Sequence, residues 1–168
     1  DGGSYRFNGE DVTALPESRL AAVRRDNIGF VFQSFNLIDD LTVYENVELP
    51  LVYAGSHGAG ERKDAVESVL AKVDMAHRLN HFPKQLSGGQ QQRVAVSRAI
   101  VNEPAMILAD EPTGNLDSEH GKDVLDLLIA LKEAGTTVVM VTHSPETTSG
   151  SDRVVNMLDG NIVEGAAA

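Results

Sequence analysis

Four short stretches of the chain carry residue types suited to phosphate chemistry. Leu86–Gln90 reads LSGGQ. Ser87 can cap a helix there, and Gly88 and Gly89 let a ligand approach the backbone closely. The free N–H groups and positive end of such a helix form an anion site. Ala105–Pro112 reads AMILADEP and sets Asp110 and Glu111 at the end of an apolar run. A carboxylate where a strand leaves an open α/β sheet can hold Mg2+, directly or through water. A glutamate beside it can polarise a water for attack on phosphorus. The run TTVVMVT ends at His143, whose imidazole could contact a terminal phosphate. NIGFVFQ ends at Gln33, whose amide could orient water or Mg2+. Taken singly, each stretch is equally a capped helix, a polar strand end or a loop residue.

The elements around these residues follow from periodicity. Ser4–Val12 alternates polar and apolar residues and contains Asn8-Gly9, a strand entering a hairpin turn. Pro16 suits the first turn of a short helix through Arg24. Ile28–Phe32 reads as a strand. LTVYENVELPLVYAG reads as a helix that Pro50 kinks or ends. Ala65, Val66, Val69, Leu70 and Val73 lie at helical spacing, and GSHGAGER before them reads as a surface linker leading to a helix over Arg62–Val73. A helix is expected from Gly89 to Val101, then an interior parallel strand in AMILAD. Asp117 or Ser118 caps a helix with the stripe Val124, Leu125, Leu127, Leu128 and Leu131, ended by Gly135. Thr136–Thr142 reads as a second buried strand, and VVNMLDGNIVEG as a hairpin turning at Asp159-Gly160. The flexible piece is expected at Glu146–Asp152. Strands alternating with helices imply α/β architecture.

Bulk properties narrow the function. The 168 residues fit one domain or most of one, with 42% hydrophobic and 23% charged residues. The formal net charge of −11 disfavours nucleic acid as a main ligand. Without cysteine there is no disulfide and no thiolate metal site. No apolar run reaches a membrane-spanning length, and no secretory signal is visible. His77 and His81 stand four apart without a third ligand and read as solvated helix histidines.

Together the motifs resemble, in order and spacing, the ATP-binding subunits of ABC transporters. Gln33 in FVFQSFNL matches the Q-loop, LSGGQ the signature, AMILADE the Walker B strand with its glutamate, Gly114–Asp117 (GNLD) the D-loop, and His143 the switch histidine. The wording of FVFQSFNL and DEPTGNLDS most resembles the lipoprotein-release, macrolide-export and cell-division branch. The resemblance implies a P-loop NTPase-type (RecA-like) core sheet with a helical subdomain over 34–86, and the signature helix and catalytic core over 87–168. It implies two subunits, identical or different, sandwiching ATP and Mg2+ head to tail. Ser87, Gly88, Gly89 and Gln90 then contact ATP held on the opposite subunit. Asp110 and Gln33 hold Mg2+, Glu111 is the general base, His143 grips the γ-phosphate, and Asp117 links the sites. The stretch after Gln33 docks on a transmembrane permease. The implied location is cytoplasmic, peripheral on the inner face of the membrane.

The phosphate loop G-x-x-x-x-G-K-[ST] is the missing part. The near match GSHGAGER carries Glu61 and Arg62 at the Lys and Ser/Thr positions, and a carboxylate there would repel phosphate. The family's loop is expected before Asp1, so the chain is read as N-terminally truncated, and the sequence alone is expected to bind ATP poorly. Two rival classes stay open: a soluble ABC ATPase of DNA repair or translation, and a non-catalytic interaction fragment. The stretch between Gln33 and Ser87 leaves room for a compact helical subdomain only, and the acidic charge argues against DNA.

Overall fold

The computed structural model describes residues 3–148 and 150–163. A hairpin opens the chain: β1 (Arg6–Phe7) pairs antiparallel with β2 (Glu10–Asp11). Its turn holds Asn8 and Gly9 at φ 47° and 83°, the left-handed pair that matches strand twist. Helix α1 (Glu17–Asn27) follows Pro16 and runs straight into β3 (Ile28–Phe32), three residues further than the sequence pattern expects.

The second layer is helical. α2 (Val43–Ala54) starts at a reciprocal cap in which Thr42 and Glu45 satisfy each other's backbone N–H groups. Pro50 lies inside α2 without ending it; the helix stops at Gly55, φ 68°. Asn46 is fully buried, yet its amide bonds the carbonyls of Ile38, Leu41 and Thr42 and accepts from the Ile38 N–H, tying the preceding loop to α2. α3 (Ala59–Lys72) begins earlier than the expected Arg62. Glu61 explains the early start, because its carboxylate accepts the Gly58 N–H at 2.7 Å and caps the first turn. His77 sits in a 3-10 turn, Ala76–Arg78, and His81 lies beyond it, so the pair shares no helix face. His81 Nε2 instead faces Arg78 Nη1 at 2.9 Å.

α4 (Gly88–Ile100) leads to β4 (Met106–Asp110), and α5 (Ser118–Glu133) to β5 (Thr137–Val141). Gly135 lies one residue past the α5 cap, at φ 102°. The three strands form a parallel sheet in the order β3-β4-β5, with β4 central as expected. A 3-10 turn over Pro145–Thr148 overlaps the segment Glu146–Asp152 expected to be flexible; Ser149 of that segment, and the tail Glu164–Ala168, lie outside the described residues. The hairpin of β6 (Asn156–Leu158) and β7 (Asn161–Val163) turns at Asp159-Gly160, as the sequence predicts.

A further expectation fails. β5 is not a buried strand: Thr137, Val139 and Val141 are exposed, Val139 by 45% and Val141 by 61%. β5 is the outer strand, and among the described residues nothing covers the face that carries Phe30, Leu108 and Val139 in one register row. Phe30 is therefore 37% exposed and stacked on Phe32, at 5.9 Å between ring centres. The opposite face, with Val31, Ile107 and Ala109, packs on Val96 and Ala99 of α4 and on Val124 and Leu128 of α5. A second core joins Val43, Val47 and Leu51 of α2 and Val66 and Leu70 of α3 to Val94 at α4.

α4 approaches β3 so closely that a Cβ at Gly29 would lie 2.2 Å from the Ala99 carbonyl oxygen. Gly29→Ala is expected to cost about 3 kcal/mol or more, since backbone and not a flexible side chain must move. Urea denaturation of the full-length protein measures it, and an unchanged midpoint would contradict the close packing.

Candidate functional site

Parallel pairing sets the first line of the site. Phe32, Asp110 and Val141 stand in register across β3, β4 and β5. The residues that follow them, Gln33, Glu111 and Thr142, therefore leave the sheet side by side at its carboxyl edge, where open α/β sheets bind ligands. The Glu111 N–H still donates to the Val141 carbonyl at 2.9 Å, but Glu111 itself turns to φ 43°. That left-handed conformation is costly for a side chain with a Cβ and marks a site held by its surroundings.

Its surroundings are specific. Glu111 Oε1 accepts from the His143 backbone N–H at 2.8 Å and lies 2.6 Å from His143 Nδ1, which must donate because a carboxylate only accepts. Oε2 accepts from the Thr142 hydroxyl at 3.3 Å. Burial pushes the Glu111 carboxyl up, and the His143 side-chain bond, the His143 backbone bond, the His143 charge and the Thr142 bond together outweigh it. The group therefore titrates below the ordinary glutamate range and is an anion at neutral pH. The Glu111 side chain is 18% exposed and that of His143 84% exposed. Asp110, beside Glu111, is exposed.

The glycine-rich segment forms the second line. Ser87 Oγ accepts the Gln90 N–H at 3.3 Å and Gln90 Oε1 accepts the Ser87 N–H at 3.0 Å. This reciprocal cap uses the Gln90 side chain to close the helix and leaves the Gly88 and Gly89 N–H groups as the first-turn donors that no helix carbonyl can reach. A Cβ at Gly89 would lie 2.5 Å from the His120 ring, and one at Gly88 3.5 Å from Leu116 and 3.7 Å from Phe35. Asp117 caps α5 by accepting from the His120 N–H at 3.0 Å and pairs with His120 Nδ1 at 2.7 Å. Those backbone and side-chain bonds hold the Asp117 carboxyl below its usual range. Gln33 and Asn115 exchange two hydrogen bonds, which brings the end of β3 against the turn before α5.

Several contacts are absent from the sequence reading. Glu111 and His143 read as separate groups and are one hydrogen-bonded pair. Thr142 read only as a strand end and Asn115 only as part of the D-loop match, neither as a partner of Glu111 or Gln33, and Gln92 carried no expectation. Gln92 is fully buried and donates from Nε2 to the Pro112 carbonyl at 2.6 Å, and among the described residues its Oε1 has no partner. Its signal was available: it falls at helical spacing on the stripe of Gly89, Val96 and Ala99, a polar residue on a buried face.

Donor chemistry fits a hard divalent cation. Asp110 and the Gln33 amide oxygen are oxygen donors at neighbouring strand ends. Among the described residues there is no cluster of three or more His, Cys, Asp or Glu able to hold a metal. Mg2+ suits such a site, since it keeps waters and phosphate oxygens and needs only one or two protein ligands.

A parallel sheet with acidic and amide groups at its carboxyl edge defines an open α/β protein of the kind that binds ligands at that edge. The comparisons name the class more closely. A family model described as ABC transporter matches residues 1–114. The chain is 51% identical over 161 residues to the uncharacterized ABC transporter ATP-binding protein YknY of Bacillus subtilis, covering 96% of this chain and 70% of that one. It is 50% identical over 161 residues to the macrolide export ATP-binding/permease protein MacB of Bradyrhizobium diazoefficiens, covering 96% of this chain and 24% of that larger one. Among solved structures, the ATP-binding cassette MJ0796, in a dimeric post-hydrolysis state bound to ADP and Pi, superposes with a TM-score of 0.85. The identity is 42%, and the match covers 97% of this chain and 72% of that one. The chain belongs to the ABC transporter family, and its α/β fold is that of the family's ATP-hydrolysing cassettes.

If His143 holds the Glu111 carboxyl down, His143→Ala is expected to raise the Glu111 pKa, because burial then acts against fewer donors. A carbon-13 NMR titration of the Glu111 carboxyl in the full-length protein reads this directly; a value unmoved or lowered contradicts the pairing.

Proposed function

We propose that this chain is the ATP-hydrolysing motor subunit of an ABC transporter, working with a transmembrane permease and a second ATP-binding subunit. The observation that carries the reading is the Glu111 carboxylate, kept anionic by His143 and Thr142 at the strand edge that also carries Asp110 and Gln33. Glu111 accepts a proton from the water that attacks the γ-phosphorus, as a general base anionic at neutral pH can. His143 orients that carboxylate through Nδ1, and its Nε2 donates to the phosphate in the imidazolium form, in which both ring nitrogens carry hydrogen. Asp110 and the Gln33 Oε1 would hold Mg2+, which when bound neutralises charge building on the phosphate oxygens.

The Gly88 and Gly89 N–H groups and the Ser87 hydroxyl face a phosphate on the second subunit. Gln90 supports them through the cap. Asp117 and its His120 pair join that surface to α5. The dimeric state of the MJ0796 cassette supports the two-subunit arrangement. Residues 34–86 form the helical subdomain that meets the permease, and 87–168 the signature helix and catalytic core. The MacB relative, an export ATP-binding/permease protein by name, supports outward transport, of which macrolide export and lipoprotein release are the variants. Among the described residues no helix is long and apolar enough to cross a membrane. In this reading the subunit meets the membrane at its cytoplasmic face through the permease.

In the full-length protein, Glu111→Gln is expected to lower kcat about 1,000-fold, within the range a general base contributes. Binding of a fluorescent ATP analogue should persist. Turnover within a few-fold of the parent would remove Glu111 from the mechanism.

A further inference from the structure

Gln33 and Asn115 are 82 positions apart and bind each other twice. The polarity of those bonds is forced. The Gln33 backbone carbonyl can only accept, so Asn115 presents Nδ2 to it, at 3.0 Å. The other end of the Asn115 amide, Oδ1, then faces the Gln33 side chain and can only accept. Gln33 must answer with Nε2, at 3.3 Å. Oε1 is the end of the Gln33 amide left over. A divalent cation takes that oxygen and has no use for a neutral amide nitrogen.

A second contact limits the same side chain. A Cβ at Gly114 would lie 2.6 Å from Gln33 Nε2, 3.0 Å from Cδ and 3.2 Å from Cγ, so the Gln33 amide lies directly against the Gly114 backbone. The turn that carries Gly114 and Asn115 is fastened at both ends. The Gly114 N–H donates to the Glu111 carbonyl at 3.0 Å, and the Leu116 N–H donates to the Thr113 carbonyl at 3.0 Å. Leu116 packs on the sheet core, and Asp117 caps α5. Asn115 thus reaches Gln33 from a rigid base.

We propose that Asn115, with Gly114 beneath it, is a positioning residue for Gln33, setting the amide so that Oε1 is presented to the divalent cation that accompanies ATP. The inference rests on Gln33 as a cation ligand in the proposed function. It makes the turn between Glu111 and Asp117 part of the cation site without itself touching the cation, an outer-shell role.

The test uses the full-length protein and Mg2+ titrations at fixed nucleotide. One readout is equilibrium binding of a fluorescent ATP analogue, and the other is turnover. In Asn115→Ala the Mg2+ concentration for half-maximal binding is expected to rise about tenfold, the low end of outer-shell effects, with most of the loss recovered at saturating Mg2+. Gly114→Ala, which displaces the Gln33 amide and leaves Asn115 intact, is expected to do the same. In a Gln33→Ala background, Asn115→Ala is expected to add nothing. The proposal is overturned if Asn115→Ala leaves the Mg2+ requirement unchanged while Gln33→Ala raises it, or if the two effects simply add. If Gln33→Ala itself leaves the requirement unchanged, the assignment of Gln33 as a ligand falls first and takes the inference with it.

Discussion

Helix α4 is the constraint on which the rest of the molecule depends. It is buried on two sides at once: Val94 joins the helical core, while Val96 and Ala99 join the sheet core. Apolar burial on opposite flanks leaves it no free rotation, because turning one stripe toward solvent would expose the other. Its polar side chains add directional ties. Arg98 donates to the carbonyls of Phe35 and Asn36, two consecutive left-handed residues just after Gln33, and burial pulls its guanidinium below the usual value. Gln92 holds the Pro112 carbonyl next to Glu111. One helix therefore sets the loop after β3, the turn after β4 and the orientation of its own glycine-rich start.

That arrangement explains why the site is built on backbone ends instead of on a cavity. Parallel strands in register deliver Gln33, Glu111 and Thr142 to one edge with no loop needed to bring them together. Local strain finishes the work. Glu111 leaves β4 in a left-handed conformation that turns its carboxylate toward β5, and three donors there repay the cost. The glycine start of α4 uses a different device. Its reciprocal Ser87–Gln90 cap satisfies the groups that side chains can reach and leaves the Gly88 and Gly89 N–H groups without a helix carbonyl, Gly88 half-buried and Gly89 buried beside His120.

The two faces of the sheet have different characters. The α4–α5 face is closed, and the face with Phe30 and Val139 is open among the described residues. An alternating apolar strand with one bare face stays solvated at a cost of about 25 cal/mol per Å2 of apolar surface. The relatives are longer than this chain: YknY is matched over 70% of its length and the MJ0796 cassette over 72%.

By itself the sequence determined the local units. Short apolar runs located the sheet strands and period-3.6 patterns the helices, and turn chemistry placed the hairpins at Asn8-Gly9 and Asp159-Gly160. Cap residues marked Ser87 and the pair Asp117 or Ser118, of which the structure uses Asp117, and the linear motifs carried the family. These are all interactions within a few residues of chain, so they are written in the order of the letters. The sequence misjudged β5, whose apolar run is the same whether a neighbour covers it or not. It also missed the start of α3, where the Glu61 side chain extends the helix backward. Only the tertiary structure decided that His143 grips Glu111, that Asn115 grips Gln33 and that His120 packs on Gly89. Each of those contacts joins segments that meet only after strands pair and α4 docks, and no spacing along the chain encodes a distance of 3 Å across it.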